Sequence, residues 1–238
     1  MVETSTLTLA ADGPRGFDAY LARPSEGRRA GIVLVHDMFG LNASIRDIAG
    51  EFAGRGHAVL VPNMFWRSDI PQALEYDGPQ HPIAWERLKA LDLDLACQDI
   101  ATAVGWLRAQ PFCNGKVAAI GFCGGGRIAF LAAARTDVDA AVALYGLHIS
   151  QHLDELGNVK CPLQIHYGLR DQHIPREEID AVSRGIAAHR LAHGGPEVEV
   201  LLYPEAGHSF FNHARPTYDP AAKALAAARI DKLLANLG

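Results

Sequence analysis

Apolar and polar residues alternate over Thr4 to Leu9 and again over Phe17 to Ala22, the period-two pattern of strands with one buried face. Ala11-Asp12-Gly13-Pro14 between them is turn chemistry, so the pair predicts an antiparallel hairpin, an element usually found at a sheet edge. From Ala30 the pattern changes. Ala30 to His36 is a continuous apolar run, as in a strand buried on both faces. Ile45, Ile48, Ala49 and Phe52 then recur at helical spacing, and His57 to Val61 predicts a further strand closed by Pro62. Residues 62 to 82 hold Pro62, Pro71, Pro79 and Pro82 with aromatic Phe65, Trp66 and Tyr76 between them. They predict a long irregular connection of the kind that usually covers a functional site. A short helix around Trp85 to Leu91 follows, then a longer one with Ala96, Ile100, Ala103 and Leu107 on one face, ending before Pro111.

Beyond Lys116 the alternation is regular: strand to Gly121, helix to Arg135, strands Ala140 to Tyr145 and Leu163 to Tyr167, helix Arg176 to His193, strand Val198 to Tyr203. Pro175 with Glu177 and Glu178 in the first turn opens the helix at Arg176, and Gly194-Gly195 stops it. A last helix carries Ala226, Ile230, Leu233 and Leu234 on one side. This order predicts the α/β class: one domain over residues 1 to 238, its mostly parallel sheet covered by helices on both faces. Active groups then gather beyond the carboxyl ends of the strands.

Composition narrows the functional classes. With 238 residues, 49% hydrophobic and 21% charged, the chain can bury a sizeable core. A formal charge of -5 with both signs interspersed leaves no footprint for nucleic acid or an anionic membrane. The N-terminus lacks a basic-then-apolar signal pattern and no stretch is long and apolar enough to span a bilayer, so a cytoplasmic protein is expected. No amphipathic pairing segment is evident, and a monomer is the expectation. Cys97, Cys113, Cys123 and Cys161 show no Cys-x-x-Cys spacing and predict free thiols, three of them structural.

The fourth stands at an apex. Val117 to Phe122 is a strand, Arg127 to Ala134 is helix-like, and Gly121-Phe122-Cys123-Gly124-Gly125 joins them in the Gly-x-Cys-x-Gly frame of a nucleophile elbow. The first amides of the helix lack internal partners and carry partial positive charge, which favours a thiolate and an oxyanion held beside it, with the Gly124 amide as a donor. The glycine spacing fits neither a dinucleotide fingerprint nor a phosphate loop. A buried structural cysteine is the competing reading.

A nucleophile needs a base and an acid that orients the base. Asp171 follows the strand Leu163 to Tyr167, and His208 follows Val198 to Tyr203 within Glu205-Ala206-Gly207-His208-Ser209-Phe210. The order Cys123, Asp171, His208 is that of an α/β-hydrolase fold. His148 with His152 and His189 with His193 are each four apart, a spacing at which a helix could present a metal pair. Neither has a third ligand nearby in sequence, so no metal is expected.

With these residues in place the sequence resembles the dienelactone hydrolases, the carboxymethylenebutenolidase family of α/β-hydrolases that use Cys, His and Asp. The likeness runs from Val33 to Leu233. It rests on Phe39-Gly40, Asn114-Gly115-Lys116-Val117, the Cys123 elbow, Tyr145-Gly146, Gly168 with Asp171, and Glu205 to Phe210. The resemblance implies cofactor-free hydrolysis of a small-molecule enol-lactone or related ester through a thioester acyl-enzyme, and it places the Met38 amide in the oxyanion hole. The family's glutamate beside the nucleophile corresponds to Asp37, which implies an acid that restrains Cys123. The family's two substrate-binding arginines correspond to His81 and Asn212. Trp85 is one turn beyond His81, and Tyr145 completes the implied pocket, with His213 and Arg127 near in sequence.

With a histidine in place of a permanent cation, any preference for carboxylated lactones is expected to weaken as pH rises, unless another cation, Arg127 first, takes over. Two other readings stay open: a thioester, peptide or small-ester hydrolase on the same fold, and a redox-responsive thiol protein that has lost hydrolysis.

Overall fold

In the computed structural model, which describes residues 1–10, 16–76 and 78–238, the apolar runs form one eight-stranded sheet. β1 (Val2–Leu9) and β2 (Phe17–Pro24) pair antiparallel at its edge, with Leu9 opposite Phe17. The turn residues Ala11-Asp12-Gly13-Pro14 lie outside the described residues. β2 is also antiparallel to β4 (Val59–Pro62), and from there every neighbour is parallel: β3 (Arg29–Val35), β5 (Cys113–Phe122), β6 (Ala140–Leu144), β7 (Leu163–Gly168) and β8 (Val198–Tyr203). The order is β1-β2-β4-β3-β5-β6-β7-β8. Parallel strands need crossovers, and the crossovers cover both faces. This is why β4 and β6 have no exposed residue and β3 has one, Arg29.

The crossover helices are α1 (Ala43–Gly54), α2 (Gln80–Lys89), α3 (Leu93–Arg108), α4 (Gly124–Arg135) and α5 (Arg176–His193), and a last helix, α6 (Pro220–Ala235), follows β8. Three open on side-chain caps that satisfy amides the first turn leaves free: Asn42 accepts from Ile45, Asp92 from Asp94 and Leu95, and Asp219 from Ala221 and Ala222. The α1 stripe of Ile45, Ile48, Ala49 and Phe52 is buried, as its spacing predicts.

Two elements differ from the expectation. α2 starts at Gln80 and takes Pro82 into its first turn, where a missing amide hydrogen breaks no helical bond, so the irregular connection is shorter than residues 62 to 82. Ile149–Asn158 is a 3-10 segment interrupted at His152 (φ -127°, ψ 20°), so His148 and His152 do not share a helix face. The His189 and His193 rings are 4.9 Å apart, but among the described residues no group of three or more His, Cys, Asp or Glu could hold a metal ion. Among the described residues no helix is long and apolar enough to cross a membrane, and all four cysteines are buried free thiols.

Candidate active site

Cys123 sits between β5 and α4 with φ 57° and ψ -120°, a conformation side chains rarely adopt. Local bonds hold it there. Its amide donates to Leu144 O (3.0 Å), and its carbonyl accepts from Gly126 (2.9 Å), Arg127 (3.3 Å) and Leu147 (3.4 Å). The frame's glycine before the apex has a steric cause: a Cβ on Gly121 would lie 1.9 Å from Gly125 O, where strand and helix cross.

Asp171 and His208 arrive on loops after β7 and β8, and these loops are joined by the Leu169 amide to Tyr203 O (2.9 Å) and the Arg170 amide to Ala206 O (3.0 Å). A Cβ on Gly168 would lie 2.3 Å from Ala206 O, so only glycine lets the two loops come this close. Asp171 Oδ2 is 2.7 Å from His208 Nδ1, while Oδ1 accepts the amides of His173 (2.7 Å) and Ile174 (3.2 Å). Burial alone would lower the affinity of His208 for a proton. The charge of the Cys123 sulfur, the Asp171 hydrogen bond and a hydrogen bond to Cys123 outweigh it and raise the imidazole to about 10. Residues 123, 171 and 208 therefore come together, with the His208 ring between the Cys123 sulfur and the Asp171 carboxylate.

Cys123 and His208 open onto a narrow crevice, with about 20 Å³ of free volume, lined also by Asp37, Met38, Phe39, His81, Trp85, His173, Ser209 and Arg215. That is room for about one water, so a substrate enters only if the partly exposed side chains at the mouth, His81 and Trp85 among them, give way. Met38 lines the crevice with Cys123 and Gly124 follows Cys123 at the start of α4, and among the described residues neither amide donates to a protein acceptor. Two unused donors beside a nucleophile suit a developing oxyanion.

α2 braces both donors. Arg87, buried at 3% exposure, gives Nε (3.0 Å) and Nη2 (2.8 Å) to Met38 O and Nη1 to Pro71 O (2.7 Å), and its guanidinium lies 4.2 Å from the Phe65 ring centroid. Leu88, next in the same helix, packs on Gly124, where an added Cβ would lie 2.4 Å from its Cδ1. The cover is thus α2, through His81 and Trp85, while the irregular loop meets α2 where Phe65 lies under Arg87 and sets Tyr76 against Phe39.

Asp37 lines the crevice with its Oδ1 on the Phe39 amide (2.9 Å). Burial raises its carboxyl to about 6, against the Phe39 hydrogen bond and the charges of Arg215 and His208. Tyr145 (φ 39°) is buried against the His208 ring, 5.0 Å between centroids, and burial together with the charges of Asp37 and Cys123 keeps its phenol protonated. Of the two positions matching the family's arginines, His81 faces the crevice, 5.7 Å from Phe39 and 6.4 Å from Trp85 by ring centroids. Asn212 does not line it: its amide donates to Ser44 Oγ (3.1 Å) and Tyr76 Oη (2.8 Å).

The cation in the crevice is Arg215, which sequence reasoning passed over. Its guanidinium lies 4.6 Å from the Tyr76 ring and 5.2 Å from Phe39, with Nε buried and unpartnered among the described residues. Arg127, first in line from the sequence, faces a separate cleft, and His213 is 3.6 Å from Asp47.

A model of the dienelactone hydrolase family matches residues 17–237. A carboxymethylenebutenolidase of Pseudomonas putida is 33% identical over 235 residues, covering 98% of this chain and 97% of that one. A solved structure from Klebsiella pneumoniae superposes with a TM-score of 0.87 at 23% identity over 99% of both chains. A dienelactone hydrolase-like promiscuous phosphotriesterase from metagenomic libraries does so with a TM-score of 0.80 at 24% identity, over 99% of this chain and 98% of that one. At these identities the two structures speak for the fold.

Proposed function

The chain belongs to the dienelactone hydrolase family, and from that premise we propose that it hydrolyses enol-lactones or related esters through a cysteine acyl-enzyme, without a cofactor. One observation supports this most: Cys123, His208 and Met38 line a single crevice, with Asp171 behind His208 and the unused Gly124 amide next to Cys123 in the chain. In this reading Cys123 gives its proton to His208 and its sulfur attacks the carbonyl carbon, whose oxygen takes up the negative charge against the two amides. The C–O bond to the leaving oxygen then breaks and His208 returns the proton to that oxygen. Water, deprotonated by His208, cleaves the thioester and restores the thiol. Each oxyanion donor is typically worth about 3–4 kcal/mol, which makes the Arg87 brace on Met38 a positioning contact.

Asp37 restrains the sulfur in this account, because a buried negative charge opposes a second one at Cys123. Asp37→Asn keeps the acceptor for the Phe39 amide and removes the charge, so iodoacetamide alkylation of Cys123 is expected to speed up by about tenfold at pH 8. The carboxyl titrates at about 6, so the restraint is absent below that pH and present above it. The ratio of variant to wild-type rate should therefore fall toward one in acid. A ratio of one at every pH would reduce Asp37 to a loop acceptor.

Arg215 alters the expected substrate choice, since it is a permanent cation lining the crevice, where the sequence offers the titrating His81 with Arg127 and His213 nearby. A carboxylated dienelactone is expected to be preferred over its methyl ester, and the preference is expected to persist into alkaline pH. Arg215→Gln should cut it by roughly 10- to 100-fold, the worth of one charge-assisted contact. The measurement is kcat/KM for both esters from mildly acidic to mildly alkaline pH. An unchanged preference in Arg215→Gln would remove Arg215 from substrate recognition, and turnover of neither ester would overturn the lactonase reading.

A further inference from the structure

Beside the catalytic crevice, and sharing Trp85 with it as a wall, lies a cleft of about 300 Å³ lined by Trp85, Leu88, Lys89, Leu91, Leu93, Arg127, Leu147 and His148. That volume is at the lower end of the range for small-molecule sites. The cleft is built on the nucleophile's own residue. Leu88 packs on Gly124, and the amides of Arg127 and Leu147 both donate to Cys123 O. Arg127 is one helical turn past Cys123 in α4, and helical side chains tilt toward the N-terminus, so its guanidinium reaches back along the elbow.

The polar part of this cleft is cationic. Arg127 has its Nε buried without a hydrogen-bond partner among the described residues. The charges it feels are those of Cys123 and of Glu178, which faces His148 Nδ1 at 3.9 Å and leaves its own Oε1 unpartnered. Among the described residues Lys89 is paired only with Glu86, at 3.4 Å, both ends exposed, and such a pair holds little. A leucine floor under one unsatisfied guanidinium, with an amine and an imidazole at the rim, suits an apolar chain ending in a carboxylate. A half-buried guanidinium with an unpartnered Nε is an unfavourable arrangement that such a ligand would relieve.

Resting on the hydrolase reading, we propose that this cleft is an acyl-chain subsite and that Arg127 recognises the distal carboxylate of esters of medium-length dicarboxylic acids. The leaving oxygen must face His208, so the acyl part is the one free to run past Gly124 and Leu88 into the cleft. Trp85 is the partition the chain passes. Arg215, inside the crevice, serves a carboxylate close to the scissile bond, and the two arginines thus separate anionic substrates by length.

The test uses p-nitrophenyl octanoate, the mono-p-nitrophenyl ester of suberic acid and that of succinic acid, with wild type, Arg127→Gln and Arg215→Gln. For Arg127→Gln, kcat/KM is expected to fall about tenfold on the suberate half-ester, mostly through KM, and to stay within twofold on the octanoate and the succinate half-ester. Arg215→Gln should show the opposite dependence on length. Arg127 feels the charge of Cys123, so iodoacetamide alkylation of Cys123 in Arg127→Gln is the control for an effect on the nucleophile, and it should change by less than about twofold. An equal fall on all three esters, or alkylation slowed by more than that, would mean that Arg127 acts on the nucleophile and would overturn the subsite. No change on the suberate half-ester would overturn it as well. Hydrolysis of the neutral octanoate by wild type reports the parent reading separately. If wild type hydrolyses none of the three, calorimetric titration with suberate decides the subsite alone: binding that weakens about tenfold in Arg127→Gln supports it, and absent or unaltered binding overturns it.

Discussion

Asp171→Asn is expected to lower kcat by roughly three to four powers of ten while the protein stays folded. The carboxylate does two things through two oxygens. Oδ1 fastens the loop through the amides of His173 and Ile174, and Oδ2 meets His208 Nδ1. An asparagine can keep its oxygen on the two amides, which preserves the loop, but its NH2 then points at Nδ1. The imidazole must carry its proton on the other nitrogen, facing Cys123, and can no longer take one from the thiol. The effect on protonation compounds this, because the Asp171 hydrogen bond and charge that help to raise His208 against burial are gone and only those of Cys123 remain. Alkylation of Cys123 at neutral pH should slow together with kcat, since the thiolate loses its counter-ion. A kcat within tenfold of wild type would separate Asp171 from the chemistry.

Much of this geometry was legible in the sequence because it is local. α5 and β8 begin and end where the helix and strand patterns do, and the β1–β2 hairpin lies at the sheet edge. Glycine at position 121 and cysteine at the apex announce a crossing that a Cβ would obstruct. Asp171 and His208 follow strands whose apolar runs are unmistakable. The missed features are tertiary. Pro82 reads as a loop residue unless the helix is already known to start two residues earlier. Arg87, in a short helix with polar neighbours, looks like a solvated surface residue, and only the fold aims it at the carbonyls of Met38 and Pro71. Asn212 occupies a family substrate position, yet its amide is consumed by Ser44 and Tyr76, 168 and 136 residues away in sequence. Arg215, three residues further on, takes the place in the crevice that no local pattern marks.

The largest effect is expected for Cys123→Ala, with kcat on an activated aryl ester falling by about four or more powers of ten. Alanine has the same Cβ at the strained apex, so the backbone of the elbow need not change and the thermal midpoint should move little. What disappears is the atom that bonds to the acyl carbon. The His208–Asp171 pair and the two amides remain, and their residual activity over water measures what the site does without covalent catalysis. Full activity in this variant would leave the elbow as a structural turn.

The most direct measurement of the central claim is the intact mass of the wild-type protein, quenched in acid during turnover of a slowly deacylated aryl ester and then mapped by peptide fragmentation. The account predicts a mass increase of one acyl group, carried by Cys123, formed with a burst of phenol and absent from Cys123→Ala. Steady hydrolysis with no adduct on Cys123, or an adduct on another residue, would contradict it.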